Sequence, residues 1–269
     1  MSPKRPETEQ NRAVWDRRVA IHMASAFYDV PGFKAGRNSL NPIELDLLGE
    51  VKGLSVLHLQ CHFGQDSISL SRMGAEVTGV DFSPKAIEAG RALAEALGTT
   101  TRFVCCDVYD LPQHLNGQFD IVFTSYGTIG WLPDLEPWAK IVAHFLKPGG
   151  RFVMADFHPV LWMFEDSFQT LHYSYFNTGP IVEESQGTYA EPSAALQTTA
   201  TGWNHAFSEL LGCLLRNDLQ LQDFREFDHS PYTCFPGMVQ EMAGQWIFPQ
   251  HGRKLPLVYA FCMQKNTQD

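Results

Sequence analysis

Two aspartates that each close an apolar run carry the most chemistry in this sequence. Asp81 ends "AEVTGVD" and Asp107 ends "TRFVCCD". A carboxylate after the second strand of an open α/β sheet can accept both hydrogen bonds of a ribose diol. Upstream, "VLHLQCHFGQDS" begins as a buried strand and ends as a nucleotide-binding turn, yet Gly64 is its one glycine. A pyrophosphate at such a turn wants several backbone N–H groups, close approach and helix-dipole charge. Gln60, His62 and Phe63 obstruct that approach more than glycines would. The combination selects a nucleoside without phosphates, with Asp81 on the ribose and Asp107 on the adenine amino group. S-adenosylmethionine has that form, and its methionine end would fall on the loop.

The elements that must place these residues alternate regularly. Strands are expected at 54–60, 75–81, 101–107, 119–127 and 151–157, with helices at 66–75, 83–98 and 135–150. Ser83 reads as an N-cap followed by Pro84, and Gly98 as the stop. Strands this apolar, separated by helices, indicate a parallel sheet covered on both faces. The fold class expected is α/β, a doubly wound, mostly parallel seven-stranded sheet, with ligands beyond the C-terminal strand ends. Residues 1–45 read as a helical cover and 46–157 as the core. Residues 158–204, rich in aromatic, Ser, Thr, Gly and Pro, read as an insertion over the ligand edge, with short strands at "LHYSYF" and "GTYAEP". Residues 205–269 complete the sheet with a helix, a strand at 219–227 and a strand at 256–265, the last two as an antiparallel pair.

Five ordered blocks resemble the core of class I S-adenosylmethionine-dependent methyltransferases over about 100 residues. "VLHLQCHFG" aligns with the family's first motif: Cys61 and Gly64 match, while His58, Gln60 and His62 stand where an acid and two glycines are usual. "VTGVDFSPKAIEAG" aligns with the second, "FVCCDVYDLP" with the third, and "FDIVFTSYGTIGWLPD" and "LKPGGRFVM" with the fourth and fifth. The resemblance implies methyl transfer from S-adenosylmethionine to a small, partly apolar molecule, with S-adenosylhomocysteine as product. It implies a Rossmann-like fold with Cys61, Gly64, Asp81, Asp107 and Val108 in the cofactor site; the turn, the strand ends and the N-terminal segment add Gln60, His62, Asp66, Phe82, Ser83, Ser125, Tyr126 and Tyr28 as candidates.

On the acceptor side, Gly127 and Trp131 follow the fourth strand and His158 follows the fifth. His158 could act as a general base, with a pKa near neutrality, or bond a backbone carbonyl at a tight His-Pro turn. Asp66 and Ser67 are expected to cap the helix they open, although Asp66 could reach the ligand's amino group. His58 reads as a core histidine and His205 as a cap-region or surface residue. Trp15, Tyr28 and Phe33 either close over the cofactor or fill core.

The remaining composition narrows the class. Formal net charge is -10, from 30 acidic and 20 basic residues among 269, and no Lys/Arg cluster offers a nucleic-acid surface. No apolar run approaches the ~20 residues of a membrane span. The six cysteines show no paired Cys-x-x-Cys spacing, so free thiols in a cytoplasmic protein are expected and a metal site is not. The expected partner is a small-molecule acceptor, with a homodimer contact as the other use for the aromatic insertion. Two rivals remain: a non-catalytic S-adenosylmethionine or S-adenosylhomocysteine sensor, and an NAD-dependent dehydrogenase that uses Asp81 but lacks the Gly-x-Gly-x-x-Gly turn.

Overall fold

The apolar runs do form the sheet. A computed structural model of the chain describes residues 6–233 and 235–267, so Cys234 lies outside the described residues. In chain order the helices are α1 (Pro6–Ala24), α2 (Val30–Lys34), α3 (Pro42–Leu48), α4 (Gln65–Arg72), α5 (Pro84–Ala96), α6 (Leu135–Phe145) and α7 (Phe207–Arg216). The strands are β1 (Ser55–Leu59), β2 (Glu76–Asp81), β3 (Arg102–Cys105), β4 (Phe119–Ser125), β5 (Leu146–Phe157), β6 (Ile181–Gln186), β7 (Gln197–Gly202), β8 (Leu219–Phe227), β9 (Val239–Met242), β10 (Gln245–Ile247) and β11 (Val258–Lys265).

The seven-stranded sheet has the order β3-β2-β1-β4-β5-β11-β8. Neighbours from β3 to β5 run parallel, while β11 runs antiparallel to both β5 and β8. This is the doubly wound architecture the strand–helix alternation predicts, with the closing strands antiparallel. Chain order reverses between β1 and β4. The loops after those two strands therefore diverge to opposite sides and leave a crevice at their C-terminal ends.

Both faces of the sheet are dry. One cluster joins α6, α7 and the β4–β5–β11 face through Trp138, Phe145, Phe152, Tyr259 and Phe261. The opposite cluster packs α3 and the later loops on Phe123, Val153 and Phe157. A smaller third cluster, with Phe33, Phe63, Ile68 and Ile87, lies under α2, α4 and α5.

Three local expectations are corrected. The strands of the insertion are β6 and β7, and "GTYAEP" is the turn region between them; "LHYSYF" forms no strand and pairs only through the isolated Leu171–Phe164 bridge. β5 begins at Leu146, so α6 stops at Phe145 and the Pro-Gly-Gly passes directly into strand. The β9–β10 hairpin inside the C-terminal segment has no regular alternation to announce it. At the end of β3, Cys105 is exposed and Cys106, the residue after the strand, is buried, so the two side chains face opposite ways as expected. No helix among the described residues is long and apolar enough to cross a membrane.

Candidate functional site

The crevice is built first from backbone. Gln60, His62 and Gly64 have φ of 54°, 51° and 72°. The first-motif turn thus keeps left-handed conformations at all three positions, although only one is glycine. Two side chains pay about 1–2 kcal/mol each for that geometry. Gly64 has no alternative, since a Cβ there would sit 2.3 Å from Phe103. Tyr126, directly after β4, has φ of 43°. Strained residues on the two strands flanking the reversal mark this edge as a site.

Asp81 ends β2 with its side chain buried. Its Oδ2 accepts from His62 N–H at 2.8 Å and its Oδ1 from Ser83 N–H at 2.9 Å. Each oxygen keeps a further lone pair, which is what a vicinal diol needs. Burial raises the Asp81 pKa to about 6, against those two amide bonds, which hold it down. Asp107, after β3, caps the next short helical turn by accepting from Tyr109 N–H at 3.0 Å. Val108 points into the core.

Over the crevice lies α1. Its inward face is not apolar: Asn11, Arg18 and His22 are buried together with Val14 and Val19. His22 Nδ1 meets His62 Nε2 at 2.9 Å. Burial, followed by the nearby Arg18 charge, lowers the His22 pKa to about 3, and His62 is likewise held well below its usual range, by burial first. Two neutral imidazoles sharing one proton leave one outer nitrogen as N–H and the other as a bare lone pair. Such a pair can donate at one end and accept at the other. Around it stand Trp15, 5.2 Å from the His62 ring, Trp131, 5.4 Å from Trp15, and Tyr28 stacked on His22 at 5.2 Å. Tyr189 of the insertion shares a hydroxyl hydrogen bond with Tyr28.

The polar atoms here are incompletely satisfied. Arg18 Nε, His22 Nε2, His62 Nδ1 and Gln60 Oε1 are buried without a hydrogen-bond partner. Orphaned groups of this kind are rare and costly, about 1–3 kcal/mol each. Four of them, on α1 and on the turn whose His62 amide bonds Asp81, fit a ligand that brings both donors and acceptors, as the amino-acid end and ribose of S-adenosylmethionine do.

Several expected site residues are placed otherwise. Cys61 is buried in the third core cluster, and Phe63 packs there too, so neither crowds the crevice. The Ser83 hydroxyl accepts from Ala86 N–H at 3.0 Å and donates to Asp16 of α1; it caps α5 and does not face a ligand. Phe82 is partly exposed beside Asp81. Asp66 and Ser67 do not cap α4, whose N-cap is Gly64. Instead Ser67 bonds His58 Nδ1 at 2.8 Å, which makes His58 the core histidine expected, and Asp66 accepts from Ser125 at 3.3 Å. Tyr126 donates to Glu44 of α3 at 2.8 Å.

His158 is corrected as well. Its Nε2 lies 2.9 Å from Glu226 and its Nδ1 accepts from Val160 N–H at 3.2 Å. Both ring nitrogens are engaged, with an amide and a carboxylate and no backbone carbonyl, which leaves no lone pair for an acceptor proton. His205 is buried, not on the surface, and Nε2 bonds Leu132 C=O at 2.7 Å. Phe33 is core, under the Arg72 guanidinium. Gly127 donates to Asp156, whose other oxygen takes Thr128 N–H at 3.3 Å, and Gln60 Nε2 reaches Thr128 C=O at 2.7 Å. Asp156 thereby shapes the loop that carries Gly127 and Trp131.

Arg18, His22, Asp156 and Tyr189 are the residues that sequence reasoning missed. One signal was available: Asn11, Trp15, Arg18 and His22 recur at helical spacing, a polar stripe where an apolar one is usual.

A model of the methyltransferase domain matches residues 56–150. The ubiquinone biosynthesis O-methyltransferase of Xanthomonas euvesicatoria pv. vesicatoria is 29% identical over 136 residues, 49% of this chain and 56% of that protein; the chain spans little more than half of that relative's length. The protein of the same name in Xanthomonas campestris pv. campestris is 26% identical over 86% of this chain and 91% of its own. Among solved structures, the S-adenosylmethionine-dependent methyltransferase of Methanosarcina mazei superposes with a TM-score of 0.58 at 18% identity, covering 85% of this chain and 99% of that one. That likeness is one of fold. The ordered motifs, the methyltransferase-domain match over residues 56–150 and the shared sheet together make this chain similar in its core to S-adenosylmethionine-dependent methyltransferases.

Proposed function

We propose that the protein transfers a methyl group from S-adenosylmethionine to a small, partly apolar acceptor. The observation that carries this reading is Asp81, whose carboxylate is fixed by the His62 and Ser83 amides and keeps one lone pair per oxygen at the edge of the crevice. The bound cofactor supplies an electrophilic methyl on sulfur, and transfer to an acceptor lone pair leaves S-adenosylhomocysteine and releases the acceptor's proton. What the chain supplies is alignment and the exclusion of water. Trp15, Trp131, Tyr28 and Tyr189 wall the acceptor side with aromatic surface, which suits a molecule with an apolar body. The relatives named for O-methyl transfer favour an oxygen acceptor.

The test is binding. Isothermal titration should show S-adenosylhomocysteine binding to the wild type, and Asp81→Ala should raise the Kd by about tenfold or more, the usual effect of losing a charge-assisted pair of hydrogen bonds. Unchanged affinity in Asp81→Ala, or equal binding of NAD by the wild type, would overturn the reading.

A further inference from the structure

Arg18 is 8% exposed, and no ion pair among the described residues involves it. Several other arginines among the described residues are served. Arg225 has Asp223 and Asp46, Arg253 has Asp228 and Glu241, and Arg216 has Glu136. Arg151 donates to the carbonyls of Leu47 and Leu48, and Arg72 to that of Phe33. Arg18 has ring faces instead, with its guanidinium carbon 5.1 Å from the Trp15 centroid and 5.7 Å from that of Trp131. Two cation–π contacts recover part of the cost of burying a charge but do not answer a guanidinium N–H in its plane. The Nε has no partner at all. Burial lowers its pKa, against the influence of Tyr189 and Tyr28, and burial keeps the Tyr28 phenol neutral.

A carboxylate acts on the same phenol. Asp66 influences Tyr28 electrostatically, as Arg18 does in the opposite sense, and it accepts from Ser125 directly at the end of β4. The first-motif turn adds the unpartnered Gln60 Oε1 and His62 Nδ1. A cation, an anion and neutral polar atoms together supply the complement of an α-amino acid zwitterion. The glycines that would let backbone amides and carbonyls take that role are absent from positions 60 and 62.

We propose that Arg18 binds the α-carboxylate of the S-adenosylmethionine tail, with Asp66 taking its ammonium, so that a helix from the N-terminal segment replaces the glycine turn as the amino-acid anchor. This rests on the methyl-donor reading and adds to it the residues that hold the tail.

The experiment compares S-adenosylhomocysteine with its decarboxylated analogue, which keeps the ammonium and the nucleoside. The wild type should bind the complete ligand at least about tenfold more tightly. Arg18→Met, which keeps the stem and removes the charge, should reduce that preference to less than about threefold, because the analogue has nothing to lose; Arg18→Lys should fall between. A wild type indifferent to the carboxylate overturns the proposal, and that comparison needs no variant to fold. So does an Arg18→Met protein that keeps the full preference, or one that loses both ligands equally, as a merely structural residue would. Absence of any S-adenosylhomocysteine binding by the wild type would sink the methyl-donor reading itself, a result distinguishable from the others.

Discussion

Glu44 is fully buried, and it is held by Asn41 N–H at 2.6 Å and by the Tyr126 hydroxyl at 2.8 Å. Burial nonetheless raises its pKa from 4.5 to about 7, and that of Asp81 from 3.8 to about 6. Both folded-state values lie above the unfolded ones, so the folded chain binds more protons between them. The stability these groups contribute is complete below the unfolded values and is lost as pH rises through the folded ones. Acids with lowered pKa, such as Asp120 at about 2, change stability in the opposite sense but below pH 4.5. The buried histidines His22 and His58, held near a pKa of about 3, act in the opposite sense up to about pH 6.5, so the Glu44 contribution is isolated by a difference: the stability of the wild type relative to Glu44→Gln should fall between pH 4.5 and 7, by at most about 3 kcal/mol. Calorimetry of both proteins across that range checks it; a difference between wild type and Glu44→Gln that does not change with pH would remove the argument. Binding should move the other way, because a ribose diol donates to the ionised Asp81, so S-adenosylhomocysteine affinity should strengthen as pH passes 6.

At the scale of elements, α1 is attached by polar devices. Asn11 acts as a single residue of strand on β7: its Nδ2 donates to Thr201 C=O at 2.7 Å and its Oδ1 accepts from Thr201 N–H at 2.9 Å, both buried. Removing the amide leaves two backbone groups unanswered. Asn11→Ala should cost about 1–3 kcal/mol in urea unfolding, and a loss below about 0.5 kcal/mol would show that α1 is held elsewhere. The same polar face explains what could and could not be read beforehand. β1 to β5 and their helices were legible because each repeats a period of apolar residues, and Asp81 because it closes one of those runs. α1 was legible as a helix, but its partner was not, since Asn11, Arg18 and His22 bury a face that apolar counting assigns to solvent. Gln60 and His62 misled in the opposite direction. Their bulk suggested a crowded turn, while the backbone kept the glycine-like conformation and sent Phe63 into the core. His158 could not have been judged from the chain at all, since Glu226, which occupies it, lies far along the sequence on β8.

For the whole molecule, the crevice is closed by three segments distant in sequence: α1, the first-motif turn and the insertion that carries Tyr189. A ligand seated among them links the N-terminal helix to the sheet, so binding and global stability must be coupled. At a concentration a hundred times its Kd, S-adenosylhomocysteine should stabilise the fold by about 2.7 kcal/mol. For a chain of this size that is a rise in Tm of about 5–10 °C. Asp81→Ala, with a Kd about tenfold weaker, should show roughly half of it at the same concentration. Hydrogen exchange should locate the effect: amides of α1 and of residues 60–64 should slow on ligand addition, while those of β8 and β11, already at the far end of the sheet, should change little. Uniform slowing across all strands, with α1 no different from the rest, would mean that the helix does not close on the ligand.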